Sequence, residues 1–178
     1  VNRATGDDTL NNGRSPTNPF KTIQRAADQM ATIFAGEFRG FISVADGTYD
    51  NGVILPNVLY SPRPSAQRDI PPFQITGNTS NRNAVIIDNT FTGNETMGLS
   101  SFQVNGHWGI DGFKYKGANY PVIEVNKTGI ARVGPFNVEN TGAASGAKLF
   151  WVKGGSLYGV HAPPFIPMII PGNWDYLI

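Results

Sequence analysis

The sequence predicts an all-β chain, a right-handed parallel β-helix of about five coils closed at its N-terminal side by one α-helix. Three observations predict it. Apolar residues follow a helical period once, near the start, and a period of two from there on. Gly and Pro number 21 and 13 in 178 residues, while charged residues make up 15%, low against a typical quarter. Two apolar columns also recur at offsets of about 21–27 residues, the spacing of a coil built from three short strands.

The helix is read from PFKTIQRAADQM, residues 19–30. Phe20, Ile23, Ala26, Ala27 and Met30 share one stripe at three- and four-residue spacing. Asn18 is the expected N-cap, with Pro19 at the first helical position, where a missing N–H costs nothing. The helix is expected to reach about Phe34 and to stop at Gly36. The polar ribbon before it, rich in Asn, Asp and Gly, reads as a run of turns.

From residue 41 the grammar is a short alternating strand followed by a Gly or Asn turn. It occurs at FISVA (41–45), FQITG (73–77), AVIID (84–88), FQVNG (102–106), VIEVN (122–126) and LFWVKG (149–154). Such strands fit a sandwich, a barrel or a solenoid, and repetition selects the solenoid. IDGFKY (110–115) lies over VGPFNV (133–138) at an offset of 23, which Val160 extends 24 further on. Val104, Val125 and Val152 make a second column. Right-handedness follows from the strong preference of parallel crossovers.

Stacked coils place equivalent residues in ladders about 4.8 Å apart. Phe113/Phe136/Val160 and Val104/Val125/Val152 are expected to face inward, Asn105 to lie over Asn126 as an amide ladder, and Lys116 to pair with Glu139 on the surface. An open coil end exposes apolar side chains and unpaired edges, so the helix, with Phe20, Ile23, Ala27 and Met30 in its stripe, is the natural lid. Replacing Asp7 or Asp8 by Asn is expected to do little. One domain is expected: ribbon and helix over 1–40, coils over 41–162 and an apolar extension over 163–178.

A net charge of +1 gives no electrostatic case for nucleic acid or an anionic membrane. No apolar run approaches the roughly 20 residues that span a bilayer, and no signal-peptide pattern opens the chain. With no Cys, disulfides and thiolate metal sites are excluded. No cofactor is expected.

TGDDTLNNGRSPTNPFKTIQRAADQM (5–30) and ISVADGTYDNG (42–52) resemble the opening of pectate-lyase-like right-handed β-helix proteins, in particular phage tailspikes and tail or virion fibre proteins. That group carries a G-x-D-x-N-x-G-x-S/T-P ribbon, a P-F-K-T-I-Q-x-A helix and a first strand ending in D/P-G-x-Y. The resemblance implies a homotrimeric virion appendage, made in the host cytoplasm and extracellular in use, assembled with other virion proteins. It also implies attachment to host-surface polysaccharide. The rival implications are a polysaccharide depolymerase, hydrolase or lyase, and a secreted bacterial adhesin.

Glycan hydrolysis needs two carboxyls about 5–9 Å apart. Asp88 and Asp111 are offset by 23 and are expected in one column on adjacent coils; both also read as turn residues after a buried strand. Glu124, between Ile123 and Val125, is expected outward and solvated, and Glu139 is accounted for by Lys116. Arg132 could serve a lyase as base or carboxylate clamp, and Asp7 with Asp8 could take a cation. His107 and His161 lie far from other ligands, and no metal is expected. Trp108, Tyr115, Tyr120, Trp151 and Tyr158 form an aromatic set that suits either sugar stacking or a subunit interface. The apolar, Pro-rich extension 163–178 is expected at an intersubunit contact.

Overall fold

The computed structural model describes residues 1–33, 39–50, 52–58, 71–89, 100–117, 121–140 and 150–159. The expected helix end near Phe34 and Gly36, and the extension 163–178, lie outside the described residues.

The opening ribbon is held by its own short polar side chains. Asn2 Oδ1 accepts from the amides of Ala4 and Thr5, and Asp7 Oδ1 from those of Thr9 and Leu10. These are Asx turns, in which a side-chain carbonyl replaces a backbone partner. Asp8 does something different. Its carboxylate accepts from the amides of Lys21 and Thr22 and from the Thr22 hydroxyl. Thr22 Oγ1 in turn accepts from the Arg25 amide.

That network sets the start of α1, Ile23–Ile33. The helix therefore begins four residues later than the Asn18–Pro19 signal suggests, with Thr22 as its N-cap and Asp8 bracing the cap from the ribbon. Asp8 is thus structural; Asn in its place would keep the Oδ1 acceptor that both amides use. Ile23, Ala26, Ala27 and Met30 of α1, with Phe20 just before it, are all buried. The expected lid stripe is present.

Thirteen strands follow among the described residues. They are β1 (Gly40–Ser43), β2 (Gly47–Tyr49), β3 (Val53–Leu55), β4 (Phe73–Thr76), β5 (Val85–Asp88) and β6 (Phe102–Val104). Then come β7 (His107–Asp111), β8 (Lys114–Gly117), β9 (Ile123–Val125) and β10 (Ile130–Val133). The last are β11 (Asn137–Asn140), β12 (Phe150–Val152) and β13 (Ser156–Gly159).

Every strand pairs in parallel with the third strand along. Three sheets result, ordered β1-β4-β7-β10-β13, β2-β5-β8-β11 and β3-β6-β9-β12. Each sheet sends an apolar column to a shared core: Ile42/Ile75/Ile110/Val133, Tyr49/Ile87/Tyr115/Val138 and Leu55/Val104/Val125. Val152 continues the third column in register with Val125 but is 36% exposed.

The amide ladder forms, with Asn126 Nδ2 donating to Asn105 Oδ1 at 2.7 Å. Lys116 and Glu139 are Cα partners as expected, but their charges pair elsewhere. Glu139 meets Lys114, and Lys116 meets Asp88 at 3.1 Å. The offset between the last two strands of the first sheet also differs from the sequence reading. Leu157 pairs with Ala131, and Val133 with Gly159, an offset of 26 and not 24. Val160 itself lies outside the described residues.

Candidate functional site

The outer face of the third sheet holds a row set by register: Ile54, Gln103, Glu124 and Trp151, one per strand. At its upper end the helix reaches down, and Gln24 exchanges hydrogen bonds with both the N–H and the C=O of Ile54. In the middle, Glu124 points outward as alternation requires, yet it is only 5% exposed. The expectation of a solvated carboxylate is corrected. Gln103 Nε2 and Lys153 Nζ donate to Glu124 Oε1 at 3.1 and 2.9 Å, and Ser100 Oγ donates to Oε2 at 3.1 Å. Three neighbours replace its water, which is what a buried carboxylate needs.

Burial alone would push the Glu124 carboxyl up, but hydrogen bonds from Lys153, Gln103 and Ser100 and the Lys153 charge hold it below the usual glutamate range. It stays ionised near neutrality and cannot act as a general acid there. Lys153 Nζ also lies 3.7 Å from the centroid of the Trp151 ring, a cation–π contact. Trp151 itself is 38% exposed. The row thus presents one aromatic ring beside an ion pair that links β9 to the residue after β12.

The sign of the pH effect follows. A folded value below the unfolded one gives stability that is present above the unfolded glutamate range and is lost as pH falls through the folded value. Glu124→Gln should therefore be destabilising at pH 7, by about 1–3 kcal/mol for a charge-assisted hydrogen-bond set. The deficit should shrink toward pH 3, measured by urea denaturation at each pH.

Asp88 and Asp111 do not meet in one column. Asp88 ends β5 in the second sheet, with Lys116 as its Cα partner and as its salt-bridge partner. Asp111 ends β7 in the first sheet, opposite Thr76. The offset of 23 holds from β7 to β10 and from β8 to β11, but 28 residues separate Asp88 from its partner Lys116. Extra residues between β5 and β6 lengthen that coil and shift the count. With Glu124 on the third sheet, the three candidate carboxylates stand on three different sheets.

Asp111 is shaped by its corner. Gly112 follows with φ of +78°, a left-handed turn suited to glycine. Gly134 sits against the Asp111 carboxyl: a Cβ there would lie 2.4 Å from Asp111 Cγ. Burial pushes the Asp111 carboxyl up, while the Gly112 amide and the Arg82 charge pull it down less strongly. A raised folded value means stability present below the unfolded aspartate range and lost as pH rises through the folded value. Asp111→Asn should accordingly raise stability at pH 7, with no gain at pH 3, read from thermal midpoints. A loss at pH 7 would show that the ionised form is needed.

The aromatic set divides. Trp108 and Tyr115 are buried, and neither offers a surface ring, which corrects the sugar-platform or interface reading for both. Trp108 packs on Phe73, and Tyr115 on Phe102, Phe113 and Phe136. Tyr120, His161 and the side chain of Tyr158 lie outside the described residues. Arg132 and His107 share the outer face of the first sheet, where burial and then the Arg132 charge lower the His107 value. Among the described residues, no group of three or more His, Asp or Glu is placed to hold a metal ion, and none of the helices is long and apolar enough to cross a membrane.

Lys153, Gln103 and Ser100 are the residues that sequence reading missed. Their signal was available in part. The same 27-residue offset that joins Val125 to Val152 joins Glu124 to Trp151, and Lys153 stands two positions on, so it shares that face. Comparison with family models, curated proteins and solved structures gives no match for this chain.

Proposed function

We propose that the chain is a right-handed parallel β-helix serving as a structural part of a phage tail or virion appendage, which attaches to host-surface polysaccharide through the Trp151 row. The stacking of every third strand into three parallel sheets supports the helix, since a chain that winds in one sense brings its third neighbour back into line. The opening ribbon, helix and first strand support the virion class by resemblance. The exposed ring of Trp151 carries the binding reading: sugars present apolar faces that stack on aromatic rings, and the Lys153 ammonium lies beside that ring.

Attachment is favoured over cleavage because Asp88, Asp111 and Glu124 stand on three different sheets and do not share a column. A trimer is the assembly proposed. The test is retention of host capsule or exopolysaccharide on immobilised protein. Trp151→Ala should abolish retention, and Trp151→Phe, which keeps a ring beside Lys153, should retain part of it. Equal retention by the unaltered protein and Trp151→Ala would sink the assignment, and shortened oligosaccharides would turn it to the depolymerase. Light scattering checks the assembly, where a monodisperse monomer would remove the trimer.

A further inference from the structure

The carboxylates of Asp50, Asp88 and Glu139 each meet a cation on the surface, with side chains 35%, 15% and 43% exposed. The Glu124 pair is built differently. Its carboxylate side chain is 7% exposed and that of Lys153 is 39% exposed, so a buried anion holds a cation that is partly in water. Surface pairs gain little, because two long side chains must be kept in one geometry. Here one of the two is already fixed. Ser100 Oγ and Gln103 Nε2 both donate to Glu124 at 3.1 Å.

Lys153 enters from the other side. Its amide donates to Val125 O at 2.7 Å, which carries the β9–β12 ladder one step further. Trp151 and Lys153 stand two places apart on an extended chain and so share a face, and Trp151 is the Cα partner of Glu124. The ammonium closes the triangle. It lies 2.9 Å from Glu124 Oε1 and 3.7 Å from the centroid of the Trp151 ring.

We propose that Glu124 is a positioning residue for Trp151 and acts through Lys153: the buried carboxylate fixes the ammonium, and the ammonium covers one face of the indole and holds the ring so that its opposite face is presented to a ligand. A cation is attracted to the negative face of an aromatic ring, yet an untethered lysine leaves such a contact easily, because its flexible stem gains rotamer entropy. The bond to Glu124 removes that escape. The carboxylate itself touches no ligand; it sets how rigid the ring is before a ligand arrives. A ring already immobilised spares the ordering cost that binding would otherwise carry. The order of the ring needs no glycan, and only its consequence for retention rests on the Trp151 reading.

The experiment records relaxation of the Trp151 indole N–H in the isotope-labelled full chain at pH 7, the signal being assigned by its loss in Trp151→Phe. The order parameter should stand near the rigid value of about 0.85 in the unaltered protein and fall below about 0.6 in Glu124→Gln and in Lys153→Ala. Lys153→Arg keeps a cation able both to pair and to stack, and should keep the ring rigid. Lys114→Ala is the control. It removes the surface pair with Glu139 and should leave the ring as it was; a fall there would mean general loosening and overturn the proposal. An unchanged order parameter in either Glu124→Gln or Lys153→Ala overturns it as well. Lys153→Ala, at a side chain partly in water, decides the matter alone if Glu124→Gln does not fold.

Retention of the polysaccharide should weaken about three- to tenfold in these two variants, the cost of ordering one loosened side chain on binding. Undiminished retention with a loosened ring would overturn the positioning role. No retention by the unaltered protein would remove the Trp151 reading instead, and the ring measurement would still decide whether Glu124 holds the indole.

Discussion

Trp108→Ala should lower the free energy of unfolding by about 3–5 kcal/mol, measured by urea denaturation. The indole is fully buried in β7, with Phe73 of β4 on one side, at 5.3 Å between ring centroids, and Ala131 of β10 as its Cα partner on the other. Its column reads Gly40, Phe73, Trp108, Ala131, so a large ring fills space left by the small residue in the next coil. The Nε1 group donates to Pro56 O at 3.0 Å, tying the first sheet to the residue after β3. Truncation leaves a cavity the stack cannot close, because the strand spacing is fixed by backbone hydrogen bonds. Trp108→Phe separates the two contributions. It keeps most of the packing and orphans the Pro56 carbonyl, and should cost about 1–3 kcal/mol. Equal losses in the two variants would place the whole effect in the hydrogen bond.

That side chain also marks the limit of what the sequence discloses. Period-two alternation located the strands at 73–77, 84–88, 102–106 and 122–126 to within a residue or two, because each strand has one face in the core. The Val104–Val125 and Asn105–Asn126 ladders were legible for the same reason, both lying at one offset of 21 residues, whereas the offset from Leu55 to Val104 is 49. Asp88 and Asp111 were misaligned because an insertion changes the count without leaving a mark in the strands themselves. Alternation in HWGID does not say which set faces in; the answer depends on Phe73 and Ala131, which register alone brings beside Trp108. Glu124 shows a related limit. Its outward direction follows from Ile123 and Val125, but its burial comes from Ser100, Gln103 and Lys153, which belong to other coils.

Ala27→Asp should destabilise the fold about as strongly, by about 3–5 kcal/mol, the range seen when an uncompensated charge is buried. Ala27 is fully buried at the centre of the stripe that α1 lays across the upper end of the coils. Asp at this position would meet apolar neighbours on the buried side, since the adjacent turns contribute Ile23, Ala26 and Met30. The carboxylate either takes up a proton or pulls the lid away from Gly40, whose missing side chain lets Met30 come within contact. Lifting α1 would also break the Gln24 bonds to Ile54 and expose the top of the third sheet. Arg25→Ala on the solvent face is the control. It removes only a cation–π contact to Phe20 at 5.4 Å and should cost under about 1 kcal/mol. Hydrogen exchange distinguishes a lost lid from general unfolding. In Ala27→Asp the Ile54 amide should lose protection before that of Val125, because Val125 is held by β6 and β12 and not by the helix. Simultaneous loss at both would mean that the coils depend on the lid for their folding and not only for the closure of their end.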